Sequence, residues 1–193
     1  RDVLITNDSS IKKLSFLPKN ITLGTSSPRR IAYVKKLRPD IEIMQIRGNI
    51  ETRIKKVLKN DLNSIILAKA ALKRLDLKYN KLNILPIPLS QIIPAPGQGA
   101  IALVYKKENK IYKSLCRSIG CKNTKIAVDA ERALIKEING DCFTPIAAHA
   151  KIKENKIILN ACLFSDDTKK YVRERIIGPK SSPNKIGKKC GSV

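Results

Sequence analysis

Up to Leu75 the sequence sets three strand–loop–helix units in series, and this order most constrains what the chain can fold into. Ile21-Thr22-Leu23 reads as a strand ending at Gly24. Ser27 then predicts an N-cap for a helix whose first position is Pro28, with Ile31, Val34 and Leu37 on one face. Ile41 to Ile46 predicts a second strand, Arg47-Gly48-Asn49 a loop, and Ile50 to Leu58 a helix with Ile50, Ile54, Val57 and Leu58 apolar. Ser64 to Ala68 predicts a third strand, leading into a helix through Leu75. Strands joined by crossover helices lie parallel, so the units predict an α/β fold with a mainly parallel sheet.

The pattern breaks at Pro94-Ala95-Pro96-Gly97-Gln98-Gly99, which reads as a crossing or hinge segment. Gly97 and Gly99 around Gln98 suit either a plain turn or a close backbone approach to a ligand. Ala100 to Tyr105 predicts a strand, and Lys107 to Ile119 and Thr124 to Ile138 predict amphipathic helices. Strands at Ile146–Ile152, Lys156–Phe164 and Lys170–Ile177, separated by short polar turns, predict an antiparallel meander. A small C-terminal α+β domain with a three-stranded antiparallel sheet is therefore expected from near Ser118. Pro183 precedes a helix start at Asn184 that reaches Val193 without a C-terminal cap, the pattern of a chain cut at its C-terminus.

A length of 193 residues with 42% hydrophobic content excludes a wholly disordered or collagen-like chain. No apolar run is long enough to span a bilayer, and Arg1-Asp2-Val3-Leu4 lacks the apolar core of a signal peptide, so a soluble chain is expected. Five cysteines without Cys-x-x-Cys spacing argue against a disulfide framework and a zinc site, predict no metal, and suit a reducing cytoplasm. The net charge of +23 is spread as lysine over every segment, as on a solvated surface. It leaves nucleic acid or a polyanionic small molecule as partners, and three Phe, five Tyr and no Trp equip the chain poorly for base stacking.

Ligands of such sheets sit at the carboxyl ends of the strands. Arg29, Arg30, Arg47 and Arg53 all fall on those loops or first turns. One alone reads as a surface ion pair; four at matching positions predict a site for an anionic ligand, because the guanidinium fork grips carboxylates and phosphates. Gly24-Thr25-Ser26-Ser27 lacks the lysine of a Walker loop, which argues against NTP hydrolysis. His149, the single histidine, reads as a packed strand residue. Glu131 and Asp129 beside Arg132 read as helix ion-pair residues with no proton transfer. Cys142, in the polar loop Asn139 to Thr144, reads as either a structural or a reactive thiol, with Asp141 disfavouring its thiolate.

Gly24-Thr25-Ser26-Ser27-Pro28-Arg29-Arg30, Arg47-Gly48-Asn49 with Thr52-Arg53, Ala70 to Leu75, Pro94 to Ile101, Glu131-Arg132-Ala133, and Gly140-Asp141-Cys142 with Pro145 follow in an order and spacing that resembles the porphobilinogen deaminase (hydroxymethylbilane synthase) family. The resemblance implies a transferase of haem-type porphyrin biosynthesis that joins four porphobilinogen units head to tail, with release of ammonia, into linear hydroxymethylbilane. It implies one dipyrromethane cofactor per chain, in thioether linkage to Cys142. Further cofactor contacts are implied at Thr25, Ser26, Ser27, Arg29, Arg30, Arg47 and Gly48, and contacts to porphobilinogen and the growing polypyrrole at Arg53, Arg74 and Gln98.

The implied fold is periplasmic-binding-protein-like: residues 1–95 match the second α/β domain, 96–117 a segment returning to a mostly absent first domain, and 118–193 the cofactor-attachment domain. The family's acid–base Asp lies in a His-Ser-x-Lys-Asp-like stretch with no match here, so the catalytic residue is not assigned. Pro28 stands where Leu is usual, Ala71 where Gly is usual, and Asp141-Cys142-Phe143-Thr144 where Gly-Cys-Gln-Val is common. A cytoplasmic monomer is implied. An inactive fragment or decayed homologue, and a basic nucleic-acid-binding module, are the alternatives.

Overall fold

The computed structural model describes residues 1–75, 80–141 and 143–193. Its first part is a sheet of β1 (Asp2–Thr6), β2 (Thr22–Gly24), β3 (Glu42–Met44), β4 (Ser64–Ala68) and β5 (Asn83–Pro86), in the order β3-β2-β4-β1-β5. β2 pairs parallel with β3 and β4, while β1 runs antiparallel to β4 and β5. Four strands thus share one direction and β1 opposes them, giving a mixed, mainly parallel sheet. α1 (Pro28–Leu37), α2 (Ile50–Leu58) and α3 (Lys69–Arg74) follow β2, β3 and β4 in turn, as the serial units predict.

Strand alternation sends side chains to both faces of this sheet. Leu4, Leu23 and Ile66 meet Ala32, Tyr33 and Val34 of α1. Val3, Ile5, Ile65 and Leu67 meet Ile54 and Val57 of α2. Each Leu, Ile or Val among them, fully buried, contributes about 1.5–3 kcal/mol. β1 and β5 are additions to the sequence reading. Their apolar runs are short and no helix follows either in the serial pattern, and β1 is placed by pairing with the distant β4 and β5.

The second part is an antiparallel sheet of β6 (Ile146–Lys153), β7 (Lys156–Phe164) and β8 (Tyr171–Pro179), preceded by α4 (Lys110–Ile119) and α5 (Lys122–Glu137) and followed by α6 (Pro183–Gly191). Ala148, Ala150, Leu159 and Ala161 pack with Ala130, Leu134 and Ile186 of α5 and α6. From the opposite face, Ala147, Cys162 and Phe164 enter the core under α1. There the Phe164 ring meets Tyr33 edge-on at 4.8 Å between centroids, and Lys36 Nζ lies 3.2 Å from the Tyr171 centroid. The meander is docked on the larger sheet through this shared core.

Three local expectations change. Ala100 to Tyr105 is irregular, because it finds no strand to pair with among the described residues; Ile101 is 71% and Val104 93% exposed. The helix expected from Lys107 begins at Lys110, since Asn109 caps it by accepting the Tyr112 N–H at 3.0 Å. α6 takes Pro183 into its first turn and ends at Gly191, its cap residue Ser192 donating its N–H to the Lys188 carbonyl.

Candidate functional site

The parallel strands β2, β3 and β4 end on one edge of the sheet, and antiparallel pairing places Asp2, at the start of β1, opposite Ala68 at the end of β4. Asp2 is fully buried there. Arg29 Nη1 donates to Asp2 Oδ2 at 2.8 Å and to the Ile93 carbonyl at 2.7 Å. Arg30 Nη2 donates to Asp2 Oδ1 at 2.8 Å, and its Nη1 to the Ile66 carbonyl at 3.0 Å. Gln98 closes the cluster: its Nε2 donates to Asp2 Oδ1 at 3.0 Å while its Oε1 accepts from Arg29 Nη2 at 3.3 Å.

Burial alone would push the Asp2 carboxyl up; attraction to Arg29 and then Arg30, with hydrogen bonds from both, outweighs it and holds the group below the usual carboxylate range. Burial pulls the Arg29 guanidinium down from its ordinary value, yet an arginine keeps its proton. Two guanidiniums therefore share one carboxylate, and the cluster keeps a positive charge.

A second group lies on the loops after β2 and β3. Thr25 is buried, and its hydroxyl accepts the Ser27 N–H at 3.3 Å. Ser27 holds the N-cap position of α1, but its side chain makes no cap bond, which corrects the capping role expected of it. Ser26 Oγ donates to the Ile46 carbonyl at 2.6 Å and accepts the Ile46 N–H at 2.9 Å, lacing the β2 loop to the chain after β3. Arg47 is exposed, and Arg53 Nε donates to the Gly48 carbonyl at 2.9 Å. Arg74 donates to the Gly99 carbonyl.

Gly48 has φ +99°, and an added Cβ would stand 3.0 Å from Thr52 Cγ2. Gly48→Ala is expected to cost about 1–2 kcal/mol through this left-handed backbone, read as a lower urea midpoint at unchanged slope.

Cys142 lies outside the described residues. Its neighbour Asp141 accepts the N–H groups of Phe143 at 2.8 Å and Thr144 at 2.9 Å. The Thr144 hydroxyl and these amides hold the Asp141 carboxyl below its ordinary value, so its charge is engaged by the loop itself.

Glu131 departs from the ion pair expected with Arg132. It is 5% exposed, its Oε2 accepts the Gly97 N–H at 2.6 Å and its Oε1 the Ala150 N–H at 2.7 Å. Burial pushes its carboxyl up, against the pull of those two amides. Arg132 is exposed, and Asp129 instead accepts from Lys125 at 2.7 Å. His149 is not fully packed: its side chain is 35% exposed, with Nδ1 3.9 Å from Glu131. Burial lowers the His149 pKa from its ordinary value, which disfavours a charged imidazole at this contact. A cavity of about 250 Å³ opens beside Gln98, Glu131 and His149. The only sequence signal for Glu131 is the triplet Glu131-Arg132-Ala133, because helical spacing says nothing of a partner in a distant loop.

Comparison with known proteins gives concordant matches. Residues 1–114 match the family model described as porphobilinogen deaminase, dipyromethane cofactor binding domain, and residues 125–192 the one described as porphobilinogen deaminase, C-terminal domain. The chain is 41% identical over 192 residues to the porphobilinogen deaminase of Coxiella burnetii (strain RSA 493 / Nine Mile phase I), covering 100% of this chain and 61% of that protein. It is 37% identical over 193 residues to that of Clostridioides difficile (strain 630), covering 100% of this chain and 63% of the relative. The chain thus spans less than two thirds of the length of these relatives. A Salmonella typhimurium periplasmic binding protein of high arginine specificity superposes with a TM-score of 0.39 at 14% identity, over 61% of this chain and 50% of that one.

Proposed function

The chain belongs to the porphobilinogen deaminase family, and on that premise we propose that it is the cofactor- and substrate-holding portion of a hydroxymethylbilane synthase, an enzyme that condenses four porphobilinogen units head to tail with release of ammonia. The observation that carries this reading is the charge at the strand ends: Arg29 and Arg30 are buried around Asp2 as their one carboxylate among the described residues, with Arg47 exposed on the next loop. An excess of guanidinium over carboxylate suits a ligand that brings several carboxylates of its own.

A dipyrromethane has that chemistry, since its rings carry acetate and propionate groups, and the donor set fits it. Arg29, Arg30, Arg47 and the Gly48 amide would hold those groups. Thr25, Ser26 and Ser27 shape the loop that presents them, and Cys142 provides the thioether. When bound, the cofactor supplies the pyrrole carbon to which the first substrate is joined. Arg53, Arg74 and Gln98 take the carboxylates of porphobilinogen and of the growing chain.

Residues 1–95 serve as the second domain, 118–193 as the cofactor-attachment domain, and 96–117 as a segment that packs on a further domain. The last point is supported by exposed apolar side chains at Ile101, Val104, Ile111 and Leu115. The reading extends to a monomer in the cytoplasm with no nucleic-acid partner. Among the described residues no helix is long and apolar enough to cross a membrane.

The test is the intact mass, under denaturing conditions, of the natural protein purified from its own cells, beside its Cys142→Ser variant. The expected result is a dipyrromethane increment on the wild type that is lost in the variant. A bare wild-type chain, or an increment that survives the substitution, would overturn the reading.

A further inference from the structure

Glu131 sits on α5, but both of its bonds reach beyond that helix. β6 is the edge of its sheet, and an edge strand leaves every second N–H without a ladder partner. The Ala148 N–H goes to the Pro94 carbonyl at 3.0 Å, and the Ala150 N–H to Glu131 Oε1 at 2.7 Å. The second carboxylate oxygen takes the Gly97 N–H at 2.6 Å. One side chain therefore pins the strap from Pro94 to Gly99 along the edge of the meander. A carboxylate is costly to bury without a cation, so two short bonds to amides are what retain it.

The strap is also held at its two ends, by the Ala148 N–H on the Pro94 carbonyl and by Arg74 on the Gly99 carbonyl. Turn bonds run within it from the Gln98 N–H to the Ala95 carbonyl and from the Ala100 N–H to the Gly97 carbonyl, both 3.0 Å. Glu131 is the side chain that takes the Gly97 N–H. Gly97 and Gly99 have φ +66° and +90°, and a Cβ added at Gly97 would touch nothing within 4 Å. Its large polar side chain, Gln98, reaches Asp2 at 3.0 Å and Arg29 at 3.3 Å. A continuous path runs from α5 through Glu131, Gly97 and Gln98 to the guanidinium pair.

We propose that Glu131 is a positioning residue for the anion site: by holding the Gly97 amide it keeps Gln98 against Asp2 and Arg29, and so ties the C-terminal part to the arginine cluster. The identity of the anion rests on the deaminase reading; the clamp does not. Glutamine at 131 keeps the size but offers one acceptor where the carboxylate offers two, so one amide must be released.

Two readouts on the natural protein test the proposal. The first needs no ligand. The NMR signals of the Gln98 side-chain amide and the exchange of the Gly97 and Ala150 amides are followed in wild type, Glu131→Gln and Glu131→Asp. The expected result is exchange at least about tenfold faster at Gly97 or Ala150, with the Gln98 amide protons moving to the shifts of a free side chain. Unchanged Gln98 signals with faster exchange would reduce Glu131 to a structural role and overturn the proposal, as would unchanged exchange.

The second readout is porphobilinogen titration of Glu131→Gln, Gln98→Ala and the double variant. The single changes are each expected to weaken binding about tenfold, with the double no weaker than Gln98→Ala alone, because one acts through the other. Losses that multiply would overturn it. A wild type that binds no porphobilinogen counts against the deaminase reading, while the Gln98 signals still decide the clamp. If Glu131→Gln does not fold, Glu131→Asp, which keeps the charge and is one methylene shorter, carries both comparisons.

Discussion

Asp2→Ala is expected to lower the free energy of unfolding by about 3–5 kcal/mol, because removing one member of a buried ionic cluster leaves its partners charged and unpaired. Arg29 and Arg30 are 3% and 9% exposed, and Asp2 is the carboxylate bonded to both at 2.8 Å. For a domain of this size the loss corresponds to roughly 6–20 °C in melting temperature. Thermal and urea unfolding of the two proteins at neutral pH measure it. A midpoint within a degree of wild type would mean that the two guanidiniums reach water and that the cluster is not buried.

The same carboxylate sets an acid limit. Its folded pKa lies below the ordinary value of 3.8, so its stabilising contribution is fully present above that value. The contribution is lost as pH falls through the lower folded pKa, where protonation removes the charge that both arginines need. Wild-type stability should therefore fall more steeply than that of Asp2→Ala as the pH is lowered below 3.8. Parallel curves would assign acid unfolding to other groups.

The second large effect is expected at Gly187, where α6 crosses α5. A Cβ added there would overlap the Ala130 carbonyl and stand 2.6 Å from Ala133 Cβ and 2.8 Å from the Leu134 nitrogen. Two of those three atoms are backbone, so no rotamer change relieves the clash and the helices must separate. Gly187→Ala is expected to cost about 1–3 kcal/mol by overpacking, and Gly187→Leu more. Cys190, one turn on, reports the separation. It is buried, and burial pushes its thiol up to about 11, so it reacts slowly in the wild type. Faster labelling of Cys190 in Gly187→Ala with a lower melting temperature is the expected outcome. Unchanged labelling and melting would show that α6 tolerates a larger spacing.

Much of the fold was legible because its determinants are local. Ser64–Ala68 and Lys156–Phe164 coincide with the observed strands, since turn residues bound the second run on both sides and precede the first, which passes directly into α3. Ala100 to Tyr105 has the composition of a strand, yet composition cannot supply a neighbour. β1 was overlooked for the converse reason: its run of three apolar residues is short, and its neighbours in the sheet are β4 and β5.

The sequence by itself determined the α/β order, the meander, the family, and the placing of arginines and hydroxyls on the loops that end the strands, because each follows from periodicity, turn chemistry or motif spacing along the chain. Only the tertiary structure decided how those arginines are used. Arg29 meets Asp2 across 27 residues of sequence, and Gln98 meets Asp2 across 96. Glu131, which beside Arg132 reads as a surface charge, is instead buried against Gly97, 34 residues away. Burial and partnership are properties of the packed elements. A charge that the sequence leaves indistinguishable from its neighbours becomes a counter-ion or a clamp only when two distant segments are brought out of water together.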